Sequence, residues 1–540
     1  MRRKNVLTVS ALVGLLVAAA WFSPRVIPYN MDEFVHYHAL ACATAPQQQG
    51  LPTFRDGCGL YDMRLPFTTS PLPLRSYLYI GSVPAIPFYP LWRLIDDPVS
   101  VRVQGAIFSL VCLVLATRLL GVRPASVATA AVLVPVLLVT FLVDQGPVGL
   151  SALLFLAALA ALRRALRTDE AGTALGWSLA TGLLLFLGTW VKLVFAWWLP
   201  AVACFAWAEM RRPDESAGGA ARRRAPALAA ALVSFALPTA LLLASVDREG
   251  RTYLDTALHR SRVQVSAEDV GEGAARLWTY AVDGSRVAPR NLVLPSWPVD
   301  AAPGLLALGV VAAGMRRPRR GEVAAWAALA VATFGVASSS RFSQWPHHFF
   351  FPLLLLVLGL AVALDGLGRR ARVAVAIAAA LFWATLVVRW PAAGVPTSAS
   401  FAKDEMLRTL RARGRDRDTF QVHASWGTYY IAQLFGDPDR IVVYLKGVSD
   451  DQGLLAEVCA LAAERHRPLL LVSSRRWDRL QTAAVAGTLG PPDRTWRFGD
   501  WWAVEYETTR LGAAPASRAA SRSRGGAGPE PARCAEGSNR

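Results

Sequence analysis

The sequence is organised around a polar stretch that directly follows its first apolar segment, Tyr29-Asn30-Met31-Asp32-Glu33-Phe34-Val35-His36-Tyr37-His38. Adjacent carboxylates followed by histidine and tyrosine are costly to keep beside hydrocarbon, so their position at a membrane surface indicates a function. The preceding residues 1–23 have a basic start and an apolar run, but Trp21-Phe22 stands where a signal-peptide cleavage site would be. We therefore interpret residues 1–23 as an uncleaved membrane anchor.

The composition is that of a polytopic α-helical membrane protein. Of the 540 residues 54% are hydrophobic, and the mean hydropathy is +0.33. The apolar residues cluster in many runs of about 15 to 22, close to the length that crosses a hydrocarbon core. The net charge of +18 comes mainly from Arg blocks between these runs. It indicates membrane topology and a basic tail, and we expect no nucleic-acid partner.

The Arg blocks predict about eleven spans when basic residues are placed in the cytoplasm. The basic N-terminus then starts inside, and Asp32 and Glu33 lie outside. The Pro-rich stretch 74–95 is expected along the outer surface as juxtamembrane helices. If it crossed the membrane, later basic blocks would change sides, which the charge bias disfavours. We expect residues 125–143 to be one outward span that delivers Asp144 to the outer face.

After residue 390 the composition changes to that of a soluble α/β unit. Strand patterns occur at Phe420–His423, Ile441–Tyr444, 469–472 and 502–504, and helical patterns at 403–413 and 454–465. This alternation predicts a layered domain of roughly 110 residues. The tail is too rich in Ala, Ser, Arg, Gly and Pro to build a core. The predicted units are a membrane domain over 1–390, an extracytoplasmic α/β domain over 391–510 and a disordered basic tail over 511–540.

The cysteines predict a possible disulfide, and metal-binding patterns are missing from the sequence. Cys42 and Cys58 fall in one polar loop, which predicts a disulfide if the loop is extracytoplasmic and two free thiols otherwise. The sequence contains no convincing internal repeat, Walker loop or metal-type Cys/His spacing. No cofactor is therefore predicted, although a divalent metal is not excluded.

Asp32 and Glu33 lie where lipid headgroups meet water. A carboxylate there can accept a proton from a hydroxyl or an amine and make that group nucleophilic. The same acids also suit the start of a helix, where negative charge favours the helix dipole. Local features alone leave both interpretations open.

The predicted topology brings further polar side chains to the same outer face, namely Asp144, Lys192, Arg341, His347 and His348. Cations beside carboxylates at an external membrane surface could hold a lipid-linked phosphate or diphosphate. The alternatives are a snorkelling side chain for Lys192 and interface anchoring for Arg341 and the histidine pair.

Several short motifs resemble one family of membrane enzymes. The pair Asp32-Glu33 with Tyr37 follows the first span, and later elements are Ser70-Pro71-Leu72-Pro73-Leu74 with Tyr77, Val101-Arg102-Val103-Gln104, Thr189-Trp190-Val191-Lys192 and Arg341-Phe342 with Pro346-His347-His348. In these the sequence resembles the GT-C superfamily of glycosyltransferases, in particular bacterial relatives of the protein mannosyltransferases and of the lipid A aminoarabinose transferase. Leu193-Val194 replaces the Gly-Pro of the family, so the resemblance does not name the sugar.

The resemblance implies a GT-C-like catalytic domain over 1–390. Its activity would be inverting transfer of a sugar from a polyprenyl-phosphate donor to a protein, lipid or glycan acceptor of the cell envelope. The reaction would take place outside the bacterial cytoplasmic (inner) membrane. Asp32 would be the general base, and Glu33 would orient it or bind the acceptor.

The remaining residues take phosphate-binding or supporting roles in this scheme. Lys192, Arg341, His347, His348 and Arg102 would bind the donor phosphate, and Asp144 and Tyr37 would lie on the acceptor side or support the base. A transporter or flippase of a polyprenyl-linked saccharide and a non-catalytic envelope scaffold are the alternatives. A transporter places ionisable residues near the middle of the membrane, whereas here they gather at the ends of the apolar runs.

Overall fold

The computed structural model describes most of the membrane part and of the C-terminal domain. The described residues are 14, 18–25, 27–45, 63–64, 71–72, 75–77, 80–144, 146–192, 198–210, 217–245, 271, 275, 279–280, 298–338, 349–389, 399–437, 439–444, 452–474 and 490–511. The predicted boundary at residue 390 and the tail after Leu511 lie outside them.

The membrane part consists of apolar helices, a structure that pairs most backbone polar groups within one segment, as a bilayer requires. Among the described residues these helices are Val99–Leu120, Pro124–Val132, Pro135–Leu142, Val148–Arg167, Ala171–Val191, Leu199–Met210, Ala217–Ser245, Ala302–Gly314, Arg320–Ser338, Phe350–Gly366 and Arg369–Arg389. Among the described residues five helices are long and apolar enough to cross a membrane, or six if one bent pair is a single span. The multi-pass helical architecture is confirmed, and the total of about eleven spans stays a prediction.

One expected span is not a single straight helix. Residues 125–143 form two helices, Pro124–Val132 and Pro135–Leu142, which are bent by 100° relative to each other. The break occurs because the residue before a proline is disfavoured in the α-helical region. Val134 accordingly has φ −120° and ψ 77°. The second helix ends next to Asp144.

The Phe350–Gly366 helix lies inside the membrane part, and nearly all of its side chains are buried. It packs against the helices Arg320–Ser338, Pro124–Val132 and Ala302–Gly314. Phe351 stacks on Trp198 with 5.4 Å between ring centroids and meets Phe155 edge-on at 4.8 Å. Such aromatic pairs contribute about 0.5–1.5 kcal/mol beyond area burial, so they help to fix this helix.

The loop after the first apolar segment, named the first outer loop after its predicted side, is built of short elements. The 3-10 turns Met31–Glu33 and Val35–Tyr37 lead into the helix His38–Thr44, followed by β1 (Met63–Arg64), β2 (Pro71–Leu72), β3 (Arg75–Tyr77), β4 (Ile80–Gly81) and the helix Ala85–Leu94. β1 pairs with β2 and β3 with β4, both antiparallel. The last helix has 10 residues and is about 15 Å long, too short for a hydrocarbon core of about 30 Å. It therefore does not cross the membrane.

The described part of the C-terminal domain contains a five-stranded mixed sheet. Its strands are β5 (Phe420–His423), β6 (Ile441–Tyr444), β7 (Leu469–Ser474), β8 (Arg494–Phe498) and β9 (Trp501–Tyr506), in the order β6-β5-β7-β9-β8. β5 is parallel to β6 and β7, whereas β9 is antiparallel to β7 and β8. All four side chains of β5 are buried, as expected for a central parallel strand. The four predicted strands are confirmed, and the edge strand β8 was not predicted.

The described part of this domain also contains the helices Ala399–Ala412, Arg415–Asp418, Trp426–Phe435, Gln452–Glu464 and Thr508–Leu511. The Trp426–Phe435 helix packs against β5 and β6 and also against the helix His38–Thr44 of the first outer loop. Tyr430 and Leu434 share one apolar cluster with Phe34 and Leu40. The C-terminal domain therefore rests on the segment that carries Asp32.

Candidate functional site

The acidic pair Asp32 and Glu33 lies on a 3-10 turn that is capped at its start. The Asn30 side chain accepts a hydrogen bond from the Asp32 N–H at 3.3 Å, and Glu33 Oε1 accepts one from the Asn30 N–H at 2.9 Å. This reciprocal capping box satisfies the first N–H groups of the turn. Glu33 is fully buried, whereas Asp32 is half-buried. Of the two acids, Asp32 is therefore the one that a bound molecule could contact.

A buried ion pair holds Glu33 in place. Arg102 Nε lies 2.9 Å from Glu33 Oε2 and Nη2 lies 3.1 Å from Oε1, and both side chains are 0% exposed. The other N–H groups of Arg102 donate to Ser23 Oγ and to the carbonyl oxygens of Ile27 and Pro28. A guanidinium has five N–H donors, and these contacts use all of them. The structure thus differs from the expectation that Arg102 binds donor phosphate, because its donors are used inside the protein.

Asp144 lies at the centre of a second buried polar cluster. Its φ of 47° is in the left-handed region, which Asp tolerates better than most residues. Asp144 Oδ1 accepts from the Gly149 N–H at 3.0 Å and Oδ2 from the Tyr37 hydroxyl at 2.7 Å. The Tyr37 hydroxyl in turn accepts from Gln104 Nε2 at 2.6 Å. Burial, and then the Asp144 charge, raise the pKa of Tyr37 well above its ordinary value, so Tyr37 stays a donor.

The turn of Asp32 and the cluster of Asp144 are joined to each other. The Gly146 N–H donates to the carbonyl oxygen of Asp32 at 2.8 Å. The His36 ring lies between the two, with Nδ1 3.2 Å from the Asp32 carbonyl oxygen and Nε2 3.5 Å from Asp144 Oδ2. Because these contacts act on the Asp32 backbone, they position the residue without using its carboxylate.

Lys192 lies just beyond the end of the Ala171–Val191 helix and is only 2% exposed. Its backbone forms an isolated antiparallel bridge with Ile80 in β4. Next to Ile80, Gly81 packs so closely on Trp190 that a Cβ would overlap the Trp190 carbonyl oxygen. Glycine is thus required for the first outer loop to approach Lys192.

The electrostatics of Lys192 place it near the accessible acid. Burial lowers the pKa of Lys192 to about 8, and the negative charge of Asp32 acts in the opposite direction. A carboxylate exerts such an effect on a cation only when the two are close. The Asp32 carboxylate and the Lys192 ammonium group therefore lie within electrostatic range of each other.

Other predicted site residues fall outside the described residues, namely Arg341, His347, His348 and Cys58. Cys42 is buried and disulfide-bonded, and its pairing with Cys58 stays a prediction. Within the described ranges, no group of three or more His, Cys, Asp or Glu side chains is arranged to hold a metal ion.

Two contributors to the site stand in the quoted motifs, but no role was predicted for them from the sequence. Gln104 stands in the apolar Val99–Leu120 helix, where a polar side chain is itself a signal of a buried contact. Tyr29 places its ring 4.5 Å from the Arg102 guanidinium carbon, and its backbone contacts Lys403 and Asp404 of the C-terminal domain. The contact between Tyr29 and Asp404 joins residues 375 apart in the chain, so no local sequence pattern predicts it.

The fold of this chain can be compared with those of solved structures. ArnT from Cupriavidus metallidurans bound to undecaprenyl phosphate is similar with a TM-score of 0.53 and 14% identity, covering 94% of this chain and 98% of that chain. The apo state of the same protein has a TM-score of 0.55 and 13% identity, covering 94% and 99%. An Archaeoglobus fulgidus oligosaccharyltransferase has a TM-score of 0.39 and 12% identity, covering 88% and 69%.

The likeness to ArnT is one of fold. No protein-family model matches the sequence, and no curated protein matches it. The chain nevertheless shares the fold of these two ArnT structures over nearly its whole length. A shared fold does not fix the function, which depends on the residues of the site.

Proposed function

We propose that this protein is an inverting glycosyltransferase of the bacterial cytoplasmic membrane, which transfers a sugar from a polyprenyl-phosphate donor to an extracytoplasmic acceptor. The observation that carries the proposal is the half-buried Asp32 beside the buried Lys192. It is a base next to a cation, in a chain with the fold of ArnT. That ArnT was solved with undecaprenyl phosphate bound supports a polyprenyl-phosphate lipid as the partner.

In the proposed reaction Asp32 accepts the proton of an acceptor hydroxyl or amine. The nucleophile attacks the anomeric carbon on the face opposite the phosphate. The new glycosidic bond forms as the bond from carbon to phosphate oxygen breaks, so the configuration inverts. Polyprenyl phosphate leaves with the electron pair of that bond, and the proton on Asp32 passes to water.

Lys192 stabilises the negative charge that develops on the leaving phosphate. A cation that is already fixed in a buried position requires little reorganisation during the reaction and acts strongly because water is excluded. With a pKa of about 8, Lys192 is mainly protonated at neutral pH. Arg341, His347 and His348 complete the phosphate site in this proposal.

Glu33 positions Asp32 rather than binding the acceptor. It is fully buried, and its oxygens already accept from Asn30 and Arg102. Asp144 is also 0% exposed, which favours a supporting role over direct contact with the acceptor. Asp144 and Tyr37 are hydrogen-bonded to each other and together support the turn that carries Asp32.

Release of polyprenyl phosphate tests the proposal. Purified protein in nanodiscs is incubated with a panel of polyprenyl-phosphate sugars and candidate acceptors. We expect at least one donor to be consumed and Asp32→Asn to slow its consumption by about 10² to 10⁴-fold. Asp418→Asn, which neutralises an exposed acid of the C-terminal domain, should leave the rate unchanged. A rate that survives Asp32→Asn would exclude Asp32 as the base.

The same purified protein, reconstituted into liposomes, distinguishes the alternatives. Passage of an intact donor across a liposome bilayer without phosphate release would establish a transporter, and neither release nor passage would favour a scaffold. Asp418→Cys tests the sidedness, because a membrane-impermeant maleimide should label it in intact cells above the level of the unsubstituted protein. Protection of that position would place the C-terminal domain, and with it Asp32, in the cytoplasm.

A further inference from the structure

Two adjacent charged residues of the C-terminal domain hold the backbone of the first outer loop. Lys403 and Asp404 lie in the Ala399–Ala412 helix and are 5% and 6% exposed. Asp404 Oδ2 accepts from the Tyr29 N–H at 3.0 Å, and Lys403 Nζ donates to the Tyr29 carbonyl oxygen at 2.5 Å. The two charges also pair with each other at 3.3 Å. Both backbone polar groups of Tyr29 are thus bonded to a domain that follows much later in the chain.

Tyr29 connects this domain to the turn of Asp32. It directly precedes Asn30, whose side chain caps that turn. On its other side, the Tyr29 ring lies against the Arg102 guanidinium at 4.5 Å, and Arg102 belongs to a membrane helix. Tyr29 is therefore one point at which the membrane part and the C-terminal domain meet. A displacement of its backbone is transmitted through Asn30 to Asp32.

Other contacts keep the domain docked independently of the charged pair. His38 Nδ1 lies 2.6 Å from Gln433 Oε1, and the Trp92 indole N–H donates to the Leu434 carbonyl oxygen at 3.0 Å. Together with the shared apolar cluster, these contacts bury the interface over several elements. Removal of the charged pair is therefore expected to loosen Tyr29 while the domain stays in place.

We propose that Lys403 and Asp404 are positioning residues for Asp32, and that the C-terminal domain is an integral part of the catalytic centre. The kinetic consequence rests on the proposed function, whereas the structural consequence does not. Hydrogen bonds that involve an ionised group are stronger than neutral ones. A misplacement of about 1 Å at a reacting group can cost about 10²-fold in rate.

Hydrogen–deuterium exchange of the full chain in nanodiscs tests the structural part. Asp404→Ala is expected to raise exchange in peptides covering residues 27–37 by about tenfold, because the Tyr29 N–H loses its acceptor. Lys403→Met is expected to raise it less, because it removes only the donor to the Tyr29 carbonyl oxygen. Glu405→Ala is the matched control, since Glu405 neighbours Asp404 but is exposed. Exchange equal to that of the control would overturn the proposal. A parallel rise in β5 and β7 would also overturn it, since it would mean general unfolding of the domain.

The transfer assay tests the kinetic part. Lys403→Met and Asp404→Ala are expected to lower kcat by about 10-fold to 100-fold and to leave the KM for the donor unchanged. Lys403→Arg keeps a donor for the Tyr29 carbonyl oxygen and should retain most of the activity. An unchanged kcat would refute the positioning role while the proposed function stands. If no sugar is transferred at all, the proposed function fails and the exchange result alone decides the structural claim.

Discussion

The buried pair of Glu33 and Arg102 allows a quantitative test of how the outer loop is held. In Glu33→Gln the guanidinium keeps its charge but loses the carboxylate that lies 2.9 and 3.1 Å from its nitrogen atoms. Both side chains are 0% exposed, so water cannot replace the lost partner. Removing one member of such a pair costs about 3–5 kcal/mol in the free energy of unfolding.

An exposed pair on the same chain serves as the matched control. Arg319 and Glu322 form an ion pair in which the side chains are 33% and 52% exposed. Pairs of this kind contribute about 0.2–1 kcal/mol, because water solvates either charge alone. Glu322→Gln removes the same type of carboxylate as Glu33→Gln, but from a solvated site.

Unfolding by sodium dodecyl sulfate in mixed micelles, followed by circular dichroism, measures both variants. Glu33→Gln is expected to lose about 3–5 kcal/mol and Glu322→Gln no more than about 1 kcal/mol. The double variant Glu33→Leu with Arg102→Leu removes both charges and should recover part of the loss. Equal losses for the two single variants would refute the conclusion that the Glu33–Arg102 pair is a buried support.

Three further perturbations act on other parts of the site. Tyr37→Phe removes the donor 2.7 Å from the buried Asp144 carboxylate and should cost about 1–3 kcal/mol in the same titration. Gly81→Ala forces a Cβ against the Trp190 carbonyl oxygen, so we expect lower thermal stability and slower transfer. Burial lowers the pKa of His38 from 6.5 to about 4, so the unfolded state binds more protons between these values. Docking of the C-terminal domain on the first outer loop should be most stable above pH 6.5 and weaken as the pH falls toward 4. Hydrogen–deuterium exchange of the full chain, measured against pH, checks this.

Each of these predictions has a control within the chain. Tyr89→Phe alters a half-buried tyrosine and should cost less than Tyr37→Phe. Gly176→Ala adds a Cβ that meets nothing within 4 Å, so a loss as large as that of Gly81→Ala would contradict the close-approach argument. His38→Gln should remove the pH dependence below pH 6.5, and its persistence would show that another group is responsible.

Local sequence patterns were sufficient to predict most of the helices and strands, and the elements that they missed have physical reasons. The strands β5 and β6 have their predicted bounds. β6 is a continuous apolar run, which is typical of a buried parallel strand, whereas β5 alternates apolar and polar residues as strands with a period of two do. β8 was missed because it lies at the sheet edge and is largely exposed. The 100° bend after Val132 was missed because the hydropathy of residues 125–143 is continuous across Pro135. Hydropathy reports the environment of a segment but not its direction.

The sequence by itself determined that the chain crosses the membrane several times, that Asp32 and Glu33 follow the first apolar segment, and that a small α/β domain follows the membrane part. These features depend on local periodicity, hydrophobic length and charge bias. Only the tertiary structure decided that Glu33 is buried against Arg102 while Asp32 remains accessible beside Lys192. It also decided that Lys403 and Asp404 bind Tyr29. Such contacts arise when distant elements pack together, and no local pattern of the chain encodes that packing.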